Sequence, residues 1–241
     1  MEDQRIWGDL NSDCLVKIFG KVGMESLLLD IPFVCKSWYK ASLDSSCWQC
    51  LIFPDFTADP AASLSLEPNT LCQRFVSEYR IDKSRFSSTK FVKFVVNRSR
   101  GKATSITLPA YCTQEAVEFV AHVCPDLVFL DISRYLQFTP ARKQISDLIC
   151  NWGNLVELSL CWSYNLEKIL SQISVHCKNF CALHVSYASI RENEALMIIQ
   201  LVPNIKDCVG FNEFDEEILK LSSHISKFMC EGSKEELFIV P

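Results

Sequence analysis

One short apolar pattern recurs through the second half of the chain and limits the folds that the chain can adopt. The pattern, which we call the template, is L-x-x-L-x-L, in which each L stands for any apolar residue, and successive copies begin roughly 20 to 28 residues apart. Four clear copies and two weaker ones follow one another at Ala103/Ile106/Leu108, Leu127/Leu130/Ile132, Leu155/Leu158/Leu160, Phe180/Leu183/Val185, Ile205/Cys208/Gly210 and Ile225/Phe228/Cys230. Such a period predicts stacked structural units.

Helical patterns lie between these copies. Their apolar positions are Val117/Val120, Ile145/Leu148/Ile149, Leu166/Ile169/Leu170/Ile173 and Leu196/Ile199. Thr139-Pro140 and Asp215 have the residue types of helix starts. Each unit would expose one apolar strand edge and one apolar helix face, and only stacking hides both. We therefore predict an α/β fold with parallel strands on a concave face and helices on a convex face.

A short strand followed by a helix at this period resembles the leucine-rich repeat, over roughly residues 103–232. Cys124 and Cys177 each stand three residues before the first apolar position of their copy, and Trp152 fills that position in another. This position is similar to that of the cysteine-containing subtype. The resemblance implies about six repeats in a short solenoid, the last two irregular, followed by a tail over residues 233–241.

A separate apolar helical pattern opens the chain. Its residues follow the i, i+3, i+4, i+7 spacing of one helix face, at Leu15, Ile18, Phe19 and Val22. Ser12 is the predicted N-cap of this helix, and Gly23 is the predicted end.

Two further short helices are predicted before residue 54. Pro32 removes a backbone donor, so we expect a helix to restart there. The third helix is predicted to be capped by Ser46 and to place Trp48, Leu51 and Ile52 together. So small a unit cannot hide all of this apolar surface, which predicts cover by the downstream chain or by a second protein.

The segment Asp9-Leu10 … Leu15-Val16-Lys17-Ile18-Phe19 … Val34-Cys35-Lys36-Ser37-Trp38 … Trp48 resembles an F-box. The resemblance covers about residues 7–53, and its spacings agree throughout. It implies binding to the Skp adaptor of a cullin-RING ubiquitin ligase, and the block around Trp38 together with Trp7 is similar to plant F-box proteins. By match, the adaptor-binding residues are Leu10, Leu15, Ile18, Phe19, Val34, Cys35, Trp38 and Trp48.

Some of these residues must instead form the unit's own small core. The segment also departs from the family at one place, where the usual Leu-Pro is Leu10-Asn11. We expect this change to soften the start of the first helix and to weaken docking slightly.

The middle of the chain is predicted to be a linker over residues 54–70, because Pro54, Pro60 and Pro68 interrupt regular structure. Two helices follow at about 71–79 and 90–96, and we assign residues 71–102 as a helical cap of the solenoid. Gly101 is a plausible C-cap for the second helix.

We predict that a target protein binds the strand face and the loops beside it. The candidate residues are Phe129, Asp131, Tyr135, Glu157, Ser159, Trp162, Tyr164, His184 and Tyr187. Trp and Tyr dominate interface hot spots, and Trp162 and Tyr187 occupy equivalent positions in their repeats. The alternative is that these rings, with Tyr111, pad the loops against neighbouring repeats.

Composition favours a protein-binding role over several others. The net charge of -5 and the pI near 5.5 argue against nucleic-acid binding. No membrane helix or export signal is expected, so the thirteen cysteines predict free thiols in the cytoplasm or nucleus. Cys47 and Cys50 form a C-x-x-C, but neither a redox context nor a second ligand pair accompanies it. No metal site, cofactor or catalytic motif is predicted.

The leading hypothesis is therefore a non-catalytic substrate receptor of an SCF-type ubiquitin ligase. Its partners would be the Skp adaptor, a cullin-RING scaffold reached through that adaptor, and a target protein. A leucine-rich-repeat interaction module outside ubiquitination is the second hypothesis, which the Asn11 departure favours. A thiol oxidoreductase at Cys47 and Cys50 is the third.

Overall fold

The computed structural model describes residues 10–55, 71–110, 112–133, 145–161, 165–186, 192–211, 227–230 and 237–238. Eight strands form one sheet in chain order: β1 (Cys50–Ile52), β2 (Ser105–Thr107), β3 (Phe129–Ile132), β4 (Glu157–Leu160), β5 (Ala182–Val185), β6 (Asp207–Phe211), β7 (Lys227–Cys230) and β8 (Leu237–Phe238). Neighbouring strands from β1 to β7 are parallel, and β8 pairs with β7 in the antiparallel direction. The predicted mixed α/β class with a parallel sheet is confirmed.

The described helices are α1 (Ser12–Phe19), α2 (Met24–Leu29), α3 (Lys36–Ser42), α4 (Leu71–Glu78), α5 (Ser88–Arg98), α6 (Gln114–Val123), α7 (Leu166–His176) and α8 (Glu192–Leu201). The helical pattern at Ile145, Leu148 and Ile149 is instead two short 3-10 turns, Ile145–Asp147 and Ile149–Asn151. The helix starts predicted at Thr139-Pro140 and at Asp215 lie outside the described residues. Within the described part of the chain, no helix combines the length and apolarity needed to cross a membrane.

The central apolar position of each template copy fixes the register of the sheet. Ile106 pairs with Leu130, Leu130 with Leu158, Leu158 with Leu183, and Leu183 with Cys208. All five side chains are fully buried. A slip of one residue would turn this row outward, so burial and register enforce each other.

The sheet begins earlier in the chain than the template copies predicted. Trp48, Leu51 and Phe53 have the template spacing, are almost fully buried, and place Leu51 beside Ile106. The third predicted helix is therefore a 3-10 turn, Ser45–Trp48, whose start is capped by Asp44 rather than by Ser46, and it is followed by a strand.

One backbone hydrogen-bond pattern shows that this early copy is equivalent to the later ones. The Gln49 carbonyl accepts two consecutive N–H groups, those of Thr104 and Ser105. The Thr104 carbonyl accepts those of Val128 and Phe129 in the same way. The carbonyls of Val128, Val156 and Cys181 each repeat the pattern toward the next copy. The helices α4 and α5 consequently lie in the connection between the first two strands.

The N-terminal helices and the sheet share one hydrophobic core. Helix α2 packs against α4, where the Arg74 guanidinium bridges the Glu25 and Asp30 carboxylates and the Tyr79 hydroxyl donates to the Leu28 carbonyl at 3.1 Å. These ion pairs are partly exposed, so they add less to stability than the apolar contacts beneath them. The downstream chain thus covers part of the apolar surface of the N-terminal unit.

Helix α1 begins differently from the prediction. Asn11, not Ser12, is the N-cap, and its side-chain carbonyl accepts the Asp13 N–H at 3.1 Å. The Asn11 backbone has φ -54° and ψ 139°, which a proline could also adopt. The helix ends at Phe19, and Gly23 is the N-cap of α2 rather than the end of α1.

Ser99, not the predicted Gly101, is the C-cap of α5, and Gly101 lies two residues further on in the left-handed region. Gly101 has φ +81°, and a Cβ placed on it would lie 2.9 Å from the Val123 carbonyl oxygen. Only glycine fits this turn without strain, because both the backbone angle and the close approach exclude a side chain.

Three residues that stand three positions before a template copy form a buried row, whereas Arg100, at the same position before Ala103, is exposed. Cys124, Trp152 and Cys177 are almost fully buried, and the Cys177 thiol donates to the Trp152 carbonyl at 3.3 Å. All twelve cysteines with described side chains are free thiols. The row therefore contributes apolar packing and one sulfur hydrogen bond to the contact between consecutive units.

Candidate functional site

Three of the eight residues predicted to bind the adaptor are in the interior. Leu15, Phe19 and Trp48 are 1–2% exposed, and the Trp48 indole N–H donates to the Ser42 carbonyl at 2.7 Å. Phe19 also packs its ring edge-to-face against Trp38, with centroids 5.1 Å apart. These three residues form part of the core of the N-terminal unit. The sequence predicts this for some of the eight residues.

The other five residues keep accessible surface. Val34 is 58% exposed and Ile18 is 45% exposed, although each belongs to an apolar motif. Leu10, Cys35 and Trp38 are partly buried. Full burial of one such side chain stabilises a protein by about 1.5–3 kcal/mol. A group of exposed apolar side chains therefore favours association with another molecule. Their contact with an adaptor stays a prediction.

Two exposed apolar residues of this region were not among the predicted site residues. Phe33 is 55% exposed and Tyr39 is 47% exposed. The sequence signal for Phe33 was its position directly before the Val34-Cys35 pair. The turn Ile31–Phe33 buries Ile31 and leaves Phe33 outside, which periodicity alone does not distinguish.

Cys35 occupies the N-cap position of α3. Its sulfur lies 3.0 Å from the Ser37 hydroxyl oxygen. The hydrogen bond from Ser37, followed by that from the Trp38 backbone, lowers the pKa of the Cys35 thiol below its usual value. The first turn of α3 is thereby tied to this side chain, which supports a positioning role within the exposed surface.

The Cys47 and Cys50 pair is poorly suited to redox chemistry. Cys47 is buried, and its sulfur lies 3.6 Å from the carbonyl oxygens of Val16 and Ala41. Burial, assisted by the Asp44 charge, raises the pKa of the Cys47 thiol to about 11. A reactive thiol needs the opposite shift. Among the described side chains, no group of three or more His, Cys, Asp or Glu residues could hold a metal ion.

The predicted target-binding residues with described positions share one face of the sheet. Phe129 pairs with Glu157, and in the neighbouring row Asp131 pairs with Ser159 and Ser159 with His184. The His184 Nε2 lies 3.7 Å from Glu157 Oε1, so the two form an ion pair when the imidazole is protonated.

This face of the sheet carries polar side chains, but their exposure to solvent differs. The Asp131 carboxylate accepts the Ser133 N–H at 2.8 Å, whereas Ser159 is buried and offers little surface. The remaining candidates lie outside the described residues: Tyr135, Trp162, Tyr164 and Tyr187, together with Tyr111 and Trp7.

No family model matches the chain. Three curated proteins of Arabidopsis thaliana are similar to it. The F-box/LRR-repeat protein At3g48880 is 24% identical over 204 residues, which are 84% of this chain and 62% of that protein. The F-box protein FBW2 is 22% identical over 209 residues, 84% of this chain and 58% of that protein.

The third relative, F-box/LRR-repeat protein 19, is 26% identical over 137 residues, 56% of this chain and 40% of its own length. The chain thus spans about 60% or less of the length of these relatives. The comparisons confirm the resemblance to plant F-box and leucine-rich-repeat proteins over most of the chain.

Proposed function

Because the chain resembles plant F-box/leucine-rich-repeat proteins, we propose that it is the substrate-recognition subunit of an SCF-type ubiquitin ligase. The N-terminal unit, over residues 1–53, is an F-box that docks to a Skp adaptor, which in turn connects the chain to a cullin-RING scaffold. The parallel sheet from residue 103 onward is a short leucine-rich-repeat solenoid that holds a target protein. The chain catalyses nothing itself and works in the cytoplasm or nucleus.

The observation that carries this proposal is the division of the F-box motif between interior and surface. Leu15, Phe19 and Trp48 build the core, whereas Ile18 and Val34 remain half exposed next to them. A unit that packed only against its own chain would be expected to cover both kinds of residue. Exposed apolar side chains on a rigid, well-packed support are typical of a preformed docking surface.

The receptor would act by proximity. Holding a target near a ubiquitin-charged enzyme raises the effective concentration of the target lysine without any chemistry on this chain. The united core of the N-terminal helices and the sheet supports this mechanism, because a stiff connection preserves the distance between adaptor and target.

The alternative, a repeat protein acting outside ubiquitination, was favoured by Asn11 in place of proline. That argument loses its force, because Asn11 has a backbone conformation open to proline and caps α1. For a thiol oxidoreductase, the raised pKa of buried Cys47 is unfavourable.

Two valines of equal exposure test the proposal. Val34 in the motif and Val175 on α7 are both 58% exposed. Binding of the full chain to a purified plant Skp adaptor is measured by calorimetry for the wild type, Val34→Ala and Val175→Ala. We expect a stable wild-type complex, a loss of affinity of about tenfold for Val34→Ala, and no change for Val175→Ala. No complex at micromolar concentration, or equal effects of the two variants, would contradict the proposal.

A further inference from the structure

Four exposed apolar side chains join the F-box motif to a helix that lies far from it in sequence. They are Phe33, Val34, Tyr39 and Tyr79, with exposures of 55, 58, 47 and 37%. The Phe33 and Tyr79 rings meet edge-to-face with centroids 6.3 Å apart. We call these four residues the aromatic patch. Only Val34 belongs to the matched motif residues, and Tyr79 lies just after α4.

The aromatic patch rests on a rigid base. The Tyr79 ring stacks on Phe75 at 4.5 Å and meets Phe94 at 6.3 Å, and its hydroxyl donates to the Leu28 carbonyl. Burial raises the pKa of the Tyr79 phenol, and the nearby Tyr39 contributes in the same direction. Helices from both sides of residues 56–70 therefore hold the patch in place. Preorganised aromatic groups lose little entropy on binding and are frequent hot spots.

Cationic side chains stand beside members of the aromatic patch, and the exposed Glu78 adjoins Tyr79. Lys36 and Lys40 are exposed on α3, which carries Tyr39. Arg98 lies over the Phe94 ring, 4.9 Å from its centroid, beside Tyr79. The neighbouring carboxylates of Glu25 and Asp30 are already engaged by Arg74. An apolar centre with a cationic rim complements an apolar surface bordered by acidic groups.

We propose that the adaptor-docking surface extends beyond the eight matched F-box residues onto Phe33 and, outside the F-box, onto Tyr79, and that the adaptor meets it with an acidic-rimmed apolar surface. This inference rests on the proposed function, because the occupant is the same adaptor. Continuity of the patch through Val34 with the motif favours one partner for both. A second copy of this chain fits poorly, since the two cationic rims would face each other across a symmetric contact.

The test compares two exposed apolar residues in the full chain. Phe33→Ala removes the ring at the centre of the patch, and Ile52→Ala removes a 59% exposed side chain on β1 as the matched control. Affinity for the purified Skp adaptor is measured by calorimetry after circular dichroism has verified folding. We expect Phe33→Ala to weaken binding at least about tenfold and Ile52→Ala to leave it within about twofold.

A charge reversal tests the chemistry of the partner. The double variant Lys36→Glu/Lys40→Glu should weaken binding and reduce its dependence on salt, because it reverses two charges of the cationic rim. Unchanged or tighter binding would refute an acidic partner surface.

Three other results separate the inference from the proposal beneath it. If Val34→Ala weakens binding and Phe33→Ala does not, docking stops at the motif and only the inference fails. If the wild type does not bind the adaptor, both fail. A homodimer in analytical ultracentrifugation that Phe33→Ala dissolves would assign the patch to self-association and overturn the inference.

Discussion

Replacing Trp48 by phenylalanine should destabilise the whole fold without altering the proposed docking surface. The Trp48 side chain is 1% exposed, and its indole N–H donates to the Ser42 carbonyl at 2.7 Å. Ser42 is itself buried. Losing the donor leaves that carbonyl unpaired, at a cost of about 1–3 kcal/mol. The smaller ring adds a cavity cost of roughly 1 kcal/mol. We expect Trp48→Phe to lower the free energy of unfolding by about 2–4 kcal/mol.

Urea unfolding followed by far-ultraviolet circular dichroism measures this loss. With a slope of roughly 3 kcal/mol per molar urea, the midpoint should fall by about 1 M. Val34→Ala is the opposite control, because its exposed side chain should change stability by no more than about 0.5 kcal/mol while weakening adaptor binding. An unchanged midpoint for Trp48→Phe together with lost adaptor affinity would refute the reasoning, since Trp48 would then face the partner.

The remaining predictions concern the N-cap of α1 and the buried thiols. Asn11→Ala should cost about 1 kcal/mol of stability in thermal melts because it removes the N-cap. Asn11→Pro loses the same cap but should still form α1 and bind the adaptor; failure of the proline variant to form α1 would contradict the observed backbone angles. Burial raises the pKa of the Cys47, Cys124 and Cys177 thiols from 9.0 to about 11, so the unfolded chain ionises first. The contribution of these thiols to the free energy of unfolding should be fully present below pH 9 and should be lost progressively between pH 9 and about 11. Urea midpoints in reducing buffer check this, and Cys177→Ala should flatten the decline; an identical slope in that variant would exclude Cys177 as a contributor.

The repeated template predicted the strands well because burial and register reinforce each other. Leu130, Leu158 and Leu183 must all face the interior, and their spacing leaves one alignment of neighbouring strands. The copy at Trp48 and Leu51 escaped this reasoning. It lies more than two periods before Ala103, and the predicted cap at Ser46 indicated a helix there instead.

Local choices between equivalent residues were less predictable. Asn11 and Ser12 are both good N-caps, and only the backbone shows which one closes the helix. The spacing of Ile145, Leu148 and Ile149 fits an α-helix as well as two 3-10 turns. Ile18 and Phe19 are adjacent and equally apolar, yet the packing of α3 buries one and leaves the other exposed. Exposure in the candidate site depends on such tertiary contacts, which the sequence pattern does not contain.

The first strand has a consequence for how this protein can be divided. Cys50–Ile52 satisfies the backbone of β2 and covers Ile106, although it belongs to the segment that carries the F-box motif. A fragment starting at residue 54 would keep every later copy of the template and still present an unpaired parallel strand to solvent. Such a strand is a template for pairing with other molecules, so the fragment would tend to aggregate. The N-terminal segment therefore also protects the edge of the sheet from pairing with other molecules, and a shortened chain should stay soluble only if it keeps Cys50–Ile52 beside β2.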